Sequence, residues 1–469
     1  MNGYTPALYA PSGSVGVLDS AISTGQDASW RWDRMMLTAP AGTRAVACRD
    51  VPAELRPVLR LFDTASAGTL NGGPSVPSAG ALHPYEYFAA VGEAIYALDA
   101  ARHRCTLVRS GAAVRTALEQ AGLADTDAAV LVVLRPWLSM RKYGDRGYLY
   151  AQLDAAHLAT HLLVLATESH DRAELRTTPS GSLGELLSLD ANCRYVHSVL
   201  ALRGAHHDTH PHEWSFVDER GAAVAGDRFW LEQECWKSLA GLRGDTPGPA
   251  ASVRRGPLLP EMRAQPETDP FPGPESMTSL AAKRRSAKDF APAVLTCDEI
   301  DRTLAALRTP LLTDLPPDSG LGLTLVVREV ADCAPGSYPL YGPGRMSDPA
   351  AVAPSGDELV RVCMGQEHLR HASAVLLCHT DRQRLLDAGP RGVSDALFRA
   401  GALTHLLYLG AAATGVDVTA IGGFDSMGWR VLAGLPDGHE VLYVALLGRS
   451  GRTSVKLDRL HRAYAHNER

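Results

Sequence analysis

The chain has 469 residues, 45% hydrophobic and 21% charged, which suits two or three folded domains rather than a disordered polymer. A net charge of −6 gives no electrostatic case for nucleic acid or an anionic membrane. Met1 to Ser14 holds neither a basic region nor a sustained apolar one, so no secretory signal is expected, and no apolar run reads as long enough to span a bilayer.

In chain order, the first marked segment is Pro77-Ser78-Ala79-Gly80-Ala81-Leu82-His83-Pro84, a turn-forming loop. Arg141-Lys142-Tyr143-Gly144-Asp145-Arg146-Gly147-Tyr148 follows, ahead of an apolar stretch around Leu153–Ala166 that reads as a buried helix. His206-His207-Asp208-Thr209-His210-Pro211-His212-Glu213 resembles a metal tract, but its ligands are too dense and lack a partner cluster, so no metal is expected. Eight scattered cysteines form no CxxC pair and read as buried free thiols of a reducing, cytoplasmic protein. A Pro-rich stretch, Asp245 to Ser276, reads as an extended connector. Beyond it lies Lys283-Arg284-Arg285-Ser286-Ala287-Lys288-Asp289-Phe290. If this run is extended, Arg284, Ser286 and Lys288 share one side, and two cations with a hydroxyl suit a phosphate monoester. Thr296-Cys297-Asp298-Glu299 is a capping box for a helix through Ile300, Leu304 and Leu307. Ala402–Ala413 is a second buried helix, and Ala420-Ile421-Gly422-Gly423-Phe424-Asp425 a turn.

Thr160-His161-Leu162-Leu163 recurs as Thr404-His405-Leu406-Leu407, and Val196–Gly204 lines up with the segment ending Ala445-Leu446-Leu447-Gly448-Arg449. A chance match would not keep register, so the chain reads as an internal duplication: residues 1–244, a linker over 245–276, and residues 277–469. The expected order in each copy is a long helix, a polar stretch, a short helix and a strand. His161 and His405 at equivalent places imply a structural role. The halves have diverged. The first has lost the Gly-Phe-Asp run near Thr178–Ser182 and keeps only scattered charge near Thr38–Ala45; the second has only Asp318-Ser319-Gly320-Leu321 where the first has its Pro-Ser loop.

Together these motifs resemble the nitroreductase fold, in particular its SagB-type branch, the FMN-dependent azoline dehydrogenases. The resemblance implies an α+β fold with a central antiparallel-type sheet, here as tandem nitroreductase-like domains forming an intramolecular pseudo-dimer with one FMN site between halves. It assigns the phosphate to Arg284, Ser286 and Lys288, the flavin ring to Ile421, Gly422 and Gly423, and the opposite face to Pro77, Ser78, Ala79 and Gly80. Lys142 and Tyr143 resemble the Lys-Tyr pair of those enzymes. Removing a proton and a hydride from a thiazoline or oxazoline needs a base; a phenol becomes one when a neighbouring ammonium lowers its pKa, and which of Lys142 and Tyr143 serves is left open by the sequence. His83 is the next candidate, and Arg449, Arg452 and Lys456 are possible further phosphate contacts. The implied substrate is an azoline peptide on a leader peptide or carrier protein, with a cyclodehydratase or synthetase as partner and oxygen as the expected acceptor. The competing readings are an NAD(P)H-dependent nitro or quinone reductase, and a non-catalytic scaffold for a cyclodehydratase.

Overall fold

The computed structural model describes residues 51–68, 75–100, 103–136, 138–139, 143, 146–177, 181–187, 189, 194–205, 214–218, 252–260, 262, 271–317, 320–340 and 349–450. The scattered charge near Thr38–Ala45, Lys142, Thr178–Ser180, His206–Glu213, Arg452 and Lys456 lie outside them.

The first half runs α1 (Arg56–Ser66), β1 (Tyr85–Val91), β2 (Ala94–Asp99), β3 (Arg104–Ser110), α2 (Ala112–Gln120), β4 (Ala128–Leu134), α3 (Arg146–Ser169), β5 (His170–Arg176), α4 (Gly181–Leu186), β6 (Tyr195–Ala205) and β7 (Ser215–Asp218). A short β8 (Arg254–Gly256) follows. The second half runs α5 (Met277–Lys283), β9 (Leu295–Thr296), α6 (Cys297–Ala305), β10 (Leu311–Thr313), β11 (Leu321–Val327), β12 (Val330–Ala331), β13 (Gly336–Pro339), α7 (Gly356–Val362), β14 (Ala374–Asp381), α8 (Arg382–Asp387), α9 (Gly389–Thr414), β15 (Asp417–Ile421), α10 (Ser426–Leu432) and β16 (His439–Gly448).

The duplication is visible in the strand order. One sheet contains β1-β4-β6-β5 and the other β11-β14-β16-β15, and each corresponding pair is antiparallel. Every residue of β4 is buried, as expected of a central strand covered on both faces. The stretch expected to be polar is a strand in both copies, β5 and β15, because each pairs along the strand that follows the short helix, β6 or β16.

Each half has one long helix, α3 or α9, with apolar residues on every side. Such a helix belongs inside a protein. Arg391–Thr414 of α9 is long and apolar enough to cross a membrane, but its most apolar part is almost entirely buried within the fold. The two helices pack together so closely that a Cβ on Gly401 would stand 2.7 Å from Ala156 Cβ and 2.9 Å from the Leu153 carbonyl oxygen. His161 Nδ1 meets His405 Nε2 at 3.3 Å where they cross. Burial pushes the His161 imidazole down to about 4 and holds the His405 imidazole well below its ordinary range, so both are neutral at pH 7.

The halves also exchange structure. β10 of the second half joins the first sheet in parallel with β5, and β8, from within the Pro-rich segment, pairs antiparallel with β10 at its edge. Asp314 then accepts from Thr177 N at 2.7 Å and Thr177 Oγ1 at 2.9 Å. The connector is therefore partly strand, in three residues between Pro249 and Pro257. One cysteine expectation is corrected: Cys297 and Cys333 form a disulfide, Cα to Cα 5.8 Å. The parallel pairing of β9 with β12, Ala331 opposite Thr296, brings the two cysteines side by side. Cys105, Cys363 and Cys378 are free and buried.

Candidate active site

Extended backbone sets out the first wall. Ser286 bridges to Val418 of β15, and Ala287 N donates to Val418 O at 2.8 Å. Side chains therefore alternate. Arg284, Ser286 and Lys288 face a cavity of about 880 Å³, whereas Arg285 pairs with Asp417 at 2.5 Å. Arg284 is only 3% exposed. Its Nε donates to Ser75 O at 2.6 Å, its Nη1 to Ser286 Oγ at 3.2 Å, and its guanidinium lies 5.3 Å from the centre of the Tyr408 ring. Tyr408 OH accepts from Ser286 Oγ at 3.2 Å and from Ala420 N at 2.9 Å. A phenol of α9 thus ties the cationic strand to β15.

The second wall is the turn after β15. Phe424 is 2% exposed and anchors it in the core. Asp425 caps α10, its carboxylate accepting from Gly428 N at 3.0 Å. Gly422 and Gly423 are left at the cavity edge. A Cβ on Gly422 would stand 2.2 Å from the Tyr150 ring, and Tyr150 OH donates to Gly422 O at 2.7 Å. Gln366 Nε2 holds Gly423 O at 2.9 Å. From α3, Arg146 donates to Phe424 O at 3.1 Å. Side chains of the first half therefore fix the turn of the second.

The third wall is the loop Pro77–His83. Gly80, Ala81 and His83 adopt positive φ of 60°, 55° and 44°. For Ala81 and His83 that conformation is unfavourable, and strain of this kind gathers at functional loops. Asp154 of α3, 2% exposed, accepts from Ser78 Oγ at 2.6 Å and from Ala79 N at 3.1 Å. Burial pushes its carboxyl up to about 7, against the opposing pull of those two hydrogen bonds.

Pro77, Ser78, Ala79, Gly80, Tyr143, Arg284, Ser286, Lys288, Ile421, Gly422 and Gly423 all line this one cavity, as does His83. Two sequence expectations come out differently. Burial holds the Tyr143 phenol above its ordinary range, with Asp154 and Tyr150 adding to the rise, so it stays protonated rather than poised as a base. Arg449 turns to Glu299 and the Gly415 carbonyl and is not among the cavity's lining residues. Asp154, Tyr408, Tyr150 and Gln366 were not anticipated. An aspartate inside a helix apolar on all sides was the available signal, because a buried carboxylate is costly and rare without a purpose.

Residues 281–449 match the sequence model of the Nitroreductase family, so the second half carries a nitroreductase-family domain. A protein described as a nitroreductase from Anabaena variabilis superposes with a TM-score of 0.64 over 95% of this chain and 99% of its own, at 18% identity. That likeness spans both halves and shows the α+β nitroreductase fold. A Ralstonia eutropha protein, also described as a nitroreductase, matches 45% of this chain and 97% of its own at 17% identity, TM-score 0.30. The E. coli microcin synthetase McbBCD complex with truncated pro-MccB17 bound matches 40% of this chain and 77% of that chain at 17% identity, TM-score 0.30. No curated protein matches this chain. The family implies a flavin. Two cations and a hydroxyl on one wall suit its phosphate, and two glycines with a Pro-Ser loop on the others suit a flat ring.

Proposed function

We propose that this chain is an FMN-dependent oxidase that converts the thiazoline or oxazoline of a peptide into a thiazole or oxazole. The observation that carries the reading is that residues from both halves converge on one cavity: Arg284, Ser286, Lys288, Ile421, Gly422 and Gly423 from the second, Pro77–Gly80 and Tyr143 from the first. Arg284, Ser286 and Lys288 would hold the FMN phosphate; Ile421–Gly423 and Pro77–Gly80 would meet the ring. Bound flavin supplies a two-electron acceptor for hydride.

The chain's own residues do the rest. Tyr143, kept as a neutral phenol, donates a hydrogen bond to the azoline nitrogen and orients the ring. Lys142 neighbours it in sequence and, as a neutral amine, is the proposed base that takes the proton while the hydride leaves to the flavin. Gln366 and Tyr150 keep the Gly422–Gly423 turn in place by holding its carbonyls. The substrate peptide arrives on a leader peptide or carrier protein, and a cyclodehydratase or synthetase makes the ring beforehand. Dioxygen is the proposed final electron acceptor. The two repeats, 1–244 and 277–469, act as the two subunits of a dimer joined by 245–276.

The test is an absorbance spectrum of the purified protein, followed by anaerobic mixing with a thiazoline peptide. Bleaching with loss of two hydrogens from the peptide mass is expected. Rapid bleaching by NADPH with no change in the peptide would make the protein a reductase. A colourless protein that FMN cannot reconstitute would make it a scaffold.

A further inference from the structure

Asp154 lines the cavity yet gives its carboxylate to the wall. Oδ2 accepts from Ser78 Oγ at 2.6 Å, and Ala79 N lies 3.1 Å from each oxygen. Ser78 Oγ in turn accepts from His83 N at 2.9 Å. One carboxylate thus fixes both ends of the strained turn. We propose that Asp154 is a positioning residue whose ionised carboxylate locks the Ser78–Ala79 turn into the cavity wall, so that its protonation loosens the surface facing the ligand. The clamp stands apart from the flavin reading; its effect on ligand affinity rests on that reading.

Three features support this. First, a carboxylate accepts two donors, whereas a carboxylic acid must place a proton of its own among them. Second, burial raises the Asp154 carboxyl to about 7, so the change falls near neutrality. Third, the tyrosines and the histidine packed closest to it do not titrate in that range. Tyr85 from β1, Tyr143 ahead of α3, Tyr150 on α3 and Tyr443 from β16 are all held above the ordinary phenol range, chiefly by burial. His157, further along α3, is pushed down to about 3. Arg146 and Arg284 carry the fixed charge of the neighbouring walls, and His83 and His368 also border the cavity.

The experiment is amide hydrogen exchange at Ala79, expressed as protection relative to the unfolded chain, from pH 5.5 to 8.5. An opened turn leaves Asp154 buried but without its two donors, so its carboxyl there titrates higher than in the closed turn. In wild type, protection should be high and level at the alkaline end, fall by up to about tenfold per pH unit on acidification toward the folded midpoint, and level off below it. Asp154→Asn should show weaker protection with no pH dependence. Ser78→Ala, which keeps the carboxylate but removes a donor, should move the fall to higher pH. Flat protection in wild type, or protection in Asp154→Asn that still follows pH, overturns the clamp. With FMN as probe, wild-type affinity should weaken on acidification more steeply than that of Asp154→Asn; every other titrating group is common to both proteins, so only the difference counts. If neither protein binds FMN but the exchange behaves as expected, the flavin reading falls and the clamp stands.

Discussion

Phe398 on α9 stands where Asp154 stands on α3: the two share the separation of 244 residues that relates His405 to His161 at the helix crossing. The same step relates Tyr408, which ties down the cationic strand, to Val164. The place that a second, symmetry-related cavity would need has thus lost its carboxylate and its phenol. Phe398 instead stacks on His197, ring centres 5.8 Å apart. Burial pushes that imidazole down to about 4, so it packs as a neutral ring.

One FMN per chain is the expected stoichiometry. Phe398 and Val164 offer nothing polar to a second flavin. The ratio of flavin absorbance to protein concentration, after saturation and gel filtration, checks it. Two flavins per chain would refute the asymmetric reading.

Asp154 should cost stability above neutral pH. Its folded carboxyl titrates at about 7, against about 3.9 for an unfolded aspartate. Between these values the folded state binds the extra proton, so stability falls as pH rises through this window and levels off above it. Asp154→Asn, which cannot ionise, should therefore gain on wild type from pH 5 to pH 8 in urea melts. A constant difference between the two proteins would show that the carboxyl is not perturbed.

Much of this was legible in the sequence because it is local. The capping box of Thr296 and Glu299 forms as spelled out. The alternation of Arg284, Ser286 and Lys288 against Arg285 holds because the run is extended. The shared Thr-His-Leu-Leu run placed both crossing helices. What escaped is non-local. Asp154 meets a turn about 75 positions earlier in the chain, a contact no spacing rule reports. β10 crosses into the other half's sheet, and β8 is a three-residue strand with too little pattern to register. The Cys297–Cys333 pairing depends on a two-residue ladder between distant segments.

Arg284→Ala and Lys288→Ala should each weaken FMN about tenfold or more, since a charge-assisted contact is worth about 1.5–3 kcal/mol. They should differ in stability. Arg284 is buried and also satisfies Ser75 O and Ser286 Oγ, so its loss leaves those groups short of a donor and lowers the melting temperature. Lys288 is only half-buried, and its loss should leave the melt almost unchanged. Equal flavin retention in wild type and both variants on dialysis would remove the phosphate assignment.

Gly401→Ala should loosen the two halves. Its new methyl would press on Ala156 and on the Leu153 carbonyl, the residue beside Asp154. Overpacking of this kind costs about 1–3 kcal/mol. Because α3 carries Tyr150 and Asp154, FMN affinity should fall with it. Full stability together with unchanged FMN affinity would show that the helices can separate without disturbing the cavity.

The proposed chemistry rests most directly on Tyr143→Phe. The substitution keeps the ring, which lies edge-on to Tyr150 with centres 5.0 Å apart, and removes only the hydroxyl. Packing and flavin binding should therefore survive, and the protein should stay yellow. A neutral phenol that donates a hydrogen bond to the azoline nitrogen acts as a general acid there, and general acid–base catalysis contributes a factor of about 100 to 10,000 in rate. The expected result is a folded flavoprotein that leaves the thiazoline peptide unoxidised, with no loss of two hydrogens by mass. Lys142→Ala should behave alike if the neighbours act together. If Tyr143→Phe loses flavin instead, the phenol belongs to cofactor binding. If it oxidises the peptide at the wild-type rate, the hydroxyl has no part in the chemistry, and His83, which lines the same cavity, becomes the residue to change.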